Sequence, residues 1–231
     1  LIVKKLFLLL LIVSSQLFAQ YTTPNTGVNW NLDDLVTNSG GVVTGAFPNY
    51  SINHKIRISQ NDRLSVLAGS DVIFTSDSAG FEIMGVLKAI GTPIDTIKFK
   101  AVTQDSLGGS FFGFYFMDTS VDSACMISYA RIEYAYYGFR CLTASPTLSN
   151  SYLWKCRRGV QLSSSSPTIF GNVIERSYEY GITMTLGSSP LIEGNTLIKN
   201  NTQGTSAKNQ ISVGLQGNNS PVVLNNIIYG G

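Results

Sequence analysis

One short motif occurs four times in the second half of the chain. It reads SPTLSNSYL from Ser145, SPTIFGNVI from Ser166, SPLIEGNTL from Ser189 and SPVVLNNII from Ser220, with spacings of 21, 23 and 31 residues. Counted from each proline, the second and seventh following positions are aliphatic, and the fourth and fifth are Gly, Asn or Ser. A repeat of this length predicts a row of stacked structural units, because one unit is too short to bury its own apolar side.

A Gly-led segment with alternating apolar residues accompanies the repeats. The segments are GFRCL from Gly138, GVQLS from Gly159, GITMT from Gly181 and SVGLQ from Ser212. Alternation with a period of two is typical of strands. We therefore predict three short strands per unit and parallel coils about 4.8 Å apart. The alternation predicts two buried columns: Phe139, Val160 and Ile182, and then Cys141, Leu162 and Met184.

The Gly and Asn residues of the motif indicate a tight turn. Asn150, Gly171, Gly194 and Asn225 occupy its fourth position, and Gly and Asn are the residues that best tolerate a left-handed backbone. The asparagines of the fifth position can hydrogen-bond to each other along the stack. We predict a structural role for this motif and not a ligand-binding one.

The motif SPTIFGNVI followed by YGITM resembles the right-handed parallel β-helix repeat of the pectin-lyase-like superfamily. Upstream, NDRLSVLAGSDVIFTSD, GVLKAIGTPIDTIKFKAV and FFGFYFMDTS resemble the leading coils of exported bacterial β-helix proteins. The resemblance covers roughly residues 50–231. It implies an all-β fold, a single right-handed parallel β-helix (solenoid) of about eight coils. That superfamily hosts lyases, hydrolases, esterases and non-catalytic surface proteins, so it implies the fold and not an activity.

The chain divides into three predicted regions. Residues 1–19 have the layout of a signal peptide, with Lys4 and Lys5 before an apolar run that is too short to span a membrane. Residues 20–49 are predicted to form an N-terminal cap, and residues 50–231 the β-helix. The last copy of the motif has no capping segment after it. We therefore expect a chain truncated at this end, with an uncapped last coil open to end-to-end self-association. The protein is predicted to be secreted, periplasmic or at the cell surface.

Composition narrows the functional classes. His54 is the single histidine, which argues against most metal clusters and Ser-His-Asp arrangements. Residues 20–128 carry a balance of −4 and residues 129–231 a balance of +4, and neither value indicates nucleic-acid binding. The three cysteines, Cys125, Cys141 and Cys156, are either buried reduced thiols or one disulfide and one free thiol. No cofactor and no metal is predicted.

The resemblance implies a polysaccharide groove along the outward positions of the Gly-led strands. The alternation predicts one outward row of Tyr115, Arg140, Gln161 and Thr183, and a second of Met117, Leu142, Ser163 and Thr185. These rows contain no carboxylate, whereas glycoside hydrolysis normally needs two. We therefore assign no catalytic residue, and we lean toward a protein that is not an enzyme.

The turns before the Gly-led strands carry the candidate ligand-binding residues. With Arg140, these are Tyr136, Tyr137, Arg157, Arg158, Tyr178 and Tyr180. Stacking places them within one or two coil steps of each other. Aromatic faces bind sugar rings, and arginines pair with carboxylates, so the set suits an acidic polysaccharide. The structural alternative is that Tyr–Arg stacks only cover the surface of the turns.

Two loops leave further alternatives open. The long third spacing places an insertion at residues 200–210, charged only at Lys208, which either carries contacts or is a tolerated surface loop. Asp105, Asp118 and Asp122 either hold Ca²⁺ together or are solvated loop residues.

The preferred function is a non-catalytic exported protein that binds carbohydrate. The alternatives are a polysaccharide-degrading enzyme, either a lyase or a glycoside hydrolase, and a structural or adhesin stalk.

Overall fold

The computed structural model describes residues 20–230 and shows a solenoid built from three sheets. Sheet A contains Gln20–Thr22 (β1), Lys55–Ile58 (β5), Gly80–Ile83 (β8), Phe111–Phe116 (β11), Ala135–Leu142 (β14), Arg158–Ser163 (β17), Tyr180–Thr185 (β20) and Ile211–Val213 (β23). Sheet B contains Asn29–Trp30 (β2), Arg63–Val66 (β6), Val86–Ile90 (β9), Met126–Ser128 (β12), Thr147–Ser149 (β15), Thr168–Phe170 (β18), Leu191–Glu193 (β21) and Val222–Leu224 (β24). Sheet C contains Val43–Ala46 (β3), Asn49–Ile52 (β4), Asp71–Phe74 (β7), Ile97–Ala101 (β10), Ala130–Glu133 (β13), Tyr152–Trp154 (β16), Val173–Glu175 (β19), Thr196–Ile198 (β22) and Ile227–Tyr229 (β25).

Successive strands visit the three sheets in turn. After β15 in sheet B the chain enters sheet C as β16 and sheet A as β17, and it then returns to sheet B as β18. Each strand pairs in parallel with the equivalent strand of the next coil, and the exception among the described residues is the antiparallel pair β3–β4. This arrangement confirms the predicted all-β parallel solenoid. The predicted signal peptide, residues 1–19, lies outside the described residues.

The interior consists of ladders of apolar side chains. The predicted columns led by Phe139 and Cys141 are fully buried, and so are Leu148, Ile169 and Ile192 of the motif. In the earlier coils phenylalanines replace the aliphatic ladders. The rings of Phe74 and Phe111, for example, stack with centroids 4.1 Å apart. Each buried aliphatic or aromatic side chain contributes roughly 1.5–3 kcal/mol, so stacking supplies the core that one coil lacks.

The turns of the motif adopt the predicted left-handed backbone. Asn150, Gly171, Gly194 and Asn225 have φ angles of 48°, 65°, 64° and 53°. The next position forms an asparagine ladder, as expected. Asn172 Nδ2 donates to Asn195 Oδ1 at 2.9 Å, and Asn195 Nδ2 donates to Asn226 Oδ1 at 3.0 Å. These bonds satisfy polar groups that stacking buries.

Residues 20–49 contain the strands β1, β2 and β3, with a helix between β2 and β3. The helix α1 spans Leu32–Asn38 and has a capping box formed by Asn31 and Asp34. The buried Asp62 holds the loop between β1 and β2. Its carboxylate accepts four backbone N–H groups from residues 25–28 at 2.7–3.1 Å. Burial raises the pKa of Asp62, but the hydrogen bonds that it accepts outweigh this effect, so its pKa lies below the usual range.

The last coil differs from the prediction in its register. The fourth of the Gly-led segments was expected to begin at Ser212, opposite Gly181. In the structure Ile211 pairs with Ile182 and Ser212 with Thr183, so the register of the strand is shifted by two residues. Gln210 therefore takes the position of the leading glycine, because its side chain bonds to Asn200 and fixes the end of the insertion. In the strands that follow, β24 and β25, the apolar side chains are 44–64% exposed. End-to-end self-association through this coil stays a prediction.

Candidate functional site

The outer face of sheet A carries the predicted row of outward residues. Tyr115 pairs with Arg140, Arg140 with Gln161, and Gln161 with Thr183, so the expected register is confirmed. Of the second row, Leu142 pairs with Ser163 and Ser163 with Thr185. A third row lies beside the first and contains Tyr137, Arg158 and Tyr180.

Arg140 is held between two tyrosine rings. Its guanidinium carbon lies 4.2 Å from the ring centroid of Tyr115 and 4.5 Å from that of Tyr137. Among the described residues, no side chain hydrogen-bonds to this guanidinium and no carboxylate pairs with it. Cation–π contacts of this kind fix the side chain without using its five N–H donors. Arg140 therefore presents an ordered and unneutralised cation on the outer face.

The other two arginines of the site converge on one carboxylate. Glu179 is 3% exposed, and its Oε1 lies 2.9 Å from Arg157 Nη2 and its Oε2 2.7 Å from Arg158 Nε. Lys208 adds a third cation, with Nζ 3.2 Å from Oε2. Burial raises the pKa of Glu179, but hydrogen bonds from Arg158, Lys208 and Arg157 outweigh it, so the pKa lies below the usual value of 4.5. The cluster carries a surplus of two positive charges.

Rings and guanidinium groups join six of the seven predicted site residues into one surface, and the seventh, Tyr180, pairs in register with Arg158. Arg157 lies over Tyr136 and Tyr178, at 5.1 and 5.6 Å from their ring centroids. Tyr136 packs edge-on against Tyr137, with 4.6 Å between the ring centroids. We call this set, together with Tyr115, the aromatic–arginine surface. Its members are Tyr115, Tyr136, Tyr137, Arg140, Arg157, Arg158, Tyr178 and Tyr180.

Two long loops bound this surface along the solenoid axis. On one side, Gly108 and Gly109 have positive φ angles. A Cβ on Gly108 would overlap the backbone of Arg157, and one on Gly109 would lie 3.2 Å from the ring of Tyr136. On the other side, the insertion at residues 200–210 brings Lys208 to Glu179 and places its Nζ 5.3 Å from the Tyr180 ring centroid. The two loops therefore reach neighbouring turns of this surface, one at Arg157 and the other at Glu179.

Sequence reasoning missed an acidic residue on the same face. Glu82 pairs in register with Tyr115 and continues the first outward row, and its side chain is 11% exposed. It accepts a hydrogen bond from Arg57 Nε at 2.6 Å and lies 3.6 Å from Lys55 Nζ. The segment GFEI at Gly80 has the same Gly-led alternation as GFRCL, so extending the repeat by two coils would have found it.

The two carboxylates of this face do not form a catalytic pair. Glu82 and Glu179 belong to coils four strand spacings apart, or roughly 19 Å along the axis. Paired carboxylates of glycosidases are about 5–9.5 Å apart. Each of the two is also bound by arginine. The face offers aromatic surfaces and one unneutralised arginine, which is the chemistry of anion and sugar-ring binding.

The remaining candidates are buried or bonded to backbone groups. Cys125, Cys141 and Cys156 are buried free thiols, and burial raises the pKa of Cys156 to about 12. Asp122 accepts the backbone N–H of Ser145, and Asp105 accepts that of Leu107. Within residues 20–230, no group of three or more His, Cys, Asp or Glu side chains is close enough to hold a metal ion.

Comparison with known proteins identifies a family. A family model described as a right handed beta helix region matches residues 111–231, which is slightly more than half of the chain. No curated protein and no solved structure matches. In the part of the chain that the structure describes, no helix is long and apolar enough to cross a membrane.

Proposed function

Because the chain belongs to the right-handed beta helix family, we propose that sheet A presents a ligand-binding face, and that the protein is an exported, non-catalytic protein that binds acidic polysaccharide. The observation that carries this proposal is Arg140, which is stacked between Tyr115 and Tyr137 and whose guanidinium has no hydrogen-bond or ion-pair partner within residues 20–230. A carboxylate can accept two parallel N–H groups from such a guanidinium. The adjacent tyrosine faces offer apolar contact to the sugar ring that carries the carboxylate.

The spacing of the solenoid favours a polymer as the ligand. Arg140, Arg158 and Tyr180 lie on three successive strands about 4.8 Å apart. This distance is close to the length of one sugar unit along a polysaccharide, so consecutive units can lie on consecutive coils. The loops that contain Gly108 and Lys208 limit the length of chain that contacts the surface.

The separation of the carboxylates supports binding without cleavage. Glu179 is held ionised by three cations, so it is not suited to donate a proton at neutral pH. Glu82 is bound by Arg57, and it lies roughly 19 Å from Glu179.

The substitution Arg140→Gln tests this proposal. It removes the charge and keeps a side chain of similar length between the tyrosines. Affinity for short oligosaccharides that contain one uronate, measured by isothermal titration calorimetry, is expected to fall by about 10- to 100-fold, since a hydrogen-bonded charge contributes about 1.5–3 kcal/mol.

Arg131→Gln is the matched control. Arg131 also lies over an aromatic ring, 4.5 Å from the Tyr152 centroid, but it belongs to sheet C and is paired with Glu133. This variant is expected to bind the same oligosaccharides as the wild type does. Equal loss in both variants, or no loss in Arg140→Gln, would show that the Arg140 site is not the binding site.

A further inference from the structure

A second column of left-handed residues follows sheet C. Tyr134, Lys155, Arg176 and Lys199 have φ angles of 63°, 49°, 54° and 46°. Backbone hydrogen bonds stack these turns. The N–H of Tyr134 donates to Trp154 O, that of Lys155 to Glu175 O, and that of Arg176 to Ile198 O. Each residue therefore lies directly above its equivalent in the next coil.

The residue types in this column are unexpected for the backbone they adopt. The equivalent turn after sheet B uses Asn150, Gly171, Gly194 and Asn225, which tolerate positive φ. Lysine and arginine adopt the left-handed region less readily than Gly and Asn do. Like charges on adjacent strands of a stack also repel. Left-handed residues also follow sheet A at Thr143, Ser164 and Leu186, so this corner geometry accepts several residue types and does not itself require basic ones.

Most of this charge is not neutralised. Arg176 pairs with Glu175 at 3.3 Å, and Glu175 also accepts the hydroxyl of Tyr152. No ion pair with Lys155 or Lys199 is found among residues 20–230. Aromatic rings lie beside both lysines. Lys155 Nζ is 4.6 Å from the Trp154 centroid, and Lys199 Nζ is 5.8 Å from that of Tyr229.

We propose that Lys155, Arg176 and Lys199, here called the basic ladder, form a second binding surface for a linear anionic polysaccharide that carries a charge on successive sugar units. The ladder offers one cation per coil, with about 4.8 Å between steps, so a chain lying along the solenoid axis can pair a charge with each step. The neighbouring rings of Trp154 and Tyr229 provide faces for sugars. This surface shares no residue with the aromatic–arginine surface, and the inference goes beyond the proposed function.

The test replaces each residue of the basic ladder with Asn, which occurs at the equivalent position of the turn after sheet B. The triple variant Lys155→Asn, Arg176→Asn, Lys199→Asn is compared with the wild type for binding of alginate, which carries a carboxylate on every sugar. Its affinity is expected to fall by at least about tenfold, since three cations that would pair with the carboxylates are removed. The thermal midpoint is expected to stay level or to rise, because Asn relieves the strained backbone. A purely structural ladder would instead lower the midpoint.

The control removes the same charge elsewhere. Arg63, Lys88 and Lys98 are exposed and lie off the ladder, and their triple replacement by Gln is expected to retain alginate binding. The wild type is also expected to bind alginate more tightly than hyaluronate, which has a carboxylate on every second sugar. The inference is overturned if the ladder variant binds alginate like the wild type, if the control loses as much affinity, or if hyaluronate or phosphatidylglycerol vesicles bind as tightly as alginate. Arg140→Gln retains the basic ladder. Binding of short oligosaccharides by this variant therefore tests the proposed function independently of the ladder.

Discussion

Arg140 and Arg158 lie on neighbouring strands of sheet A and differ in what surrounds their guanidinium groups. Arg158 donates to Glu179 and to Gln161, whereas Arg140 lies between two tyrosine rings and has no hydrogen-bond or ion-pair partner among the described side chains. Arg158 is therefore part of a structural ion pair, and Arg140 is an accessible cation. Replacing both Arg157 and Arg158 by Ala would leave Glu179 buried with Lys208 alone, at a cost of roughly 3 kcal/mol. Loss of binding in that variant would not distinguish recognition from unfolding.

Glu179 makes stability depend on pH in a defined direction. Its folded-state pKa is lowered below 4.5, so its ion pairs stabilise the protein above about pH 4.5, and this stabilisation is lost as the pH falls through the folded-state pKa. Glu179→Gln is expected to reduce the free energy of unfolding at pH 7 by about 2 kcal/mol. It is also expected to make the free energy of unfolding depend less on pH at acid pH. Chemical denaturation between pH 3 and 7 measures both effects.

Glu193→Gln is the control for this prediction. Glu193 lies on sheet B and is only partly buried, and it has no ion-pair partner in residues 20–230. The two variants should differ at pH 7 and become more similar as the pH falls toward and below the folded-state pKa of Glu179. Identical profiles at all pH values would contradict the role assigned to Glu179.

The elements of the solenoid are held in register by polar ladders as well as by apolar columns. Asn195 accepts from the backbone and side chain of Asn172 and donates to Ile169 O and Asn226 Oδ1. It therefore ties three coils together. Removing its side chain leaves the backbone N–H of Asn172 and the carbonyl of Ile169, both in the preceding coil, without these partners.

Asn195→Ala is expected to reduce the free energy of unfolding by roughly 3 kcal/mol, because an unsatisfied buried group costs about 1–3 kcal/mol and at least two groups are affected. Asn218→Ala, at an exposed position of the last loop, is expected to change it by less than about 0.5 kcal/mol. Urea titration followed by circular dichroism provides the comparison. A small effect at Asn195 would mean that water replaces the ladder.

The elements were predictable where the repeat is regular. The SP motif and the alternation gave the columns of Phe139, Cys141 and Leu148, because each position recurs at a fixed offset. Helix α1 was not predicted, since Leu32–Val36 is too short for a clear period. The strand after the insertion was misplaced by two residues, because the closing contact between Asn200 and Gln210 joins residues that the repeat does not relate.

At the site, residue types were easier to predict than partners. The tyrosines and arginines were found because they recur before each Gly-led strand. Their pairing with Glu179, and the approach of Lys208 and Gly108, depend on loops of irregular length. The basic ladder was visible in the aligned repeats, since Lys155, Arg176 and Lys199 each follow the motif proline by nine residues. It becomes interpretable once the positive φ angles are known.

At the scale of the whole molecule, charge and packing are distributed unevenly along the axis. The first coils have a core of stacked phenylalanines and an acidic balance, and the later coils have aliphatic ladders and a basic balance. Both proposed surfaces lie in the basic part, and they adjoin at the turns between sheets C and A, where Lys155 precedes Arg157 by two residues. A long polyanion can therefore contact both surfaces at the same end of the solenoid.

The most direct test of the central claim is a glycan-array experiment on the purified chain, followed by product analysis for every polysaccharide that binds. We predict binding of acidic glycans over neutral ones, with no unsaturated and no reducing-end products after prolonged incubation. Absence of binding to any acidic glycan would contradict the assignment of a carbohydrate-binding face. Release of products would contradict the non-catalytic assignment and would direct attention to Glu82 and Glu179, the carboxylates of sheet A.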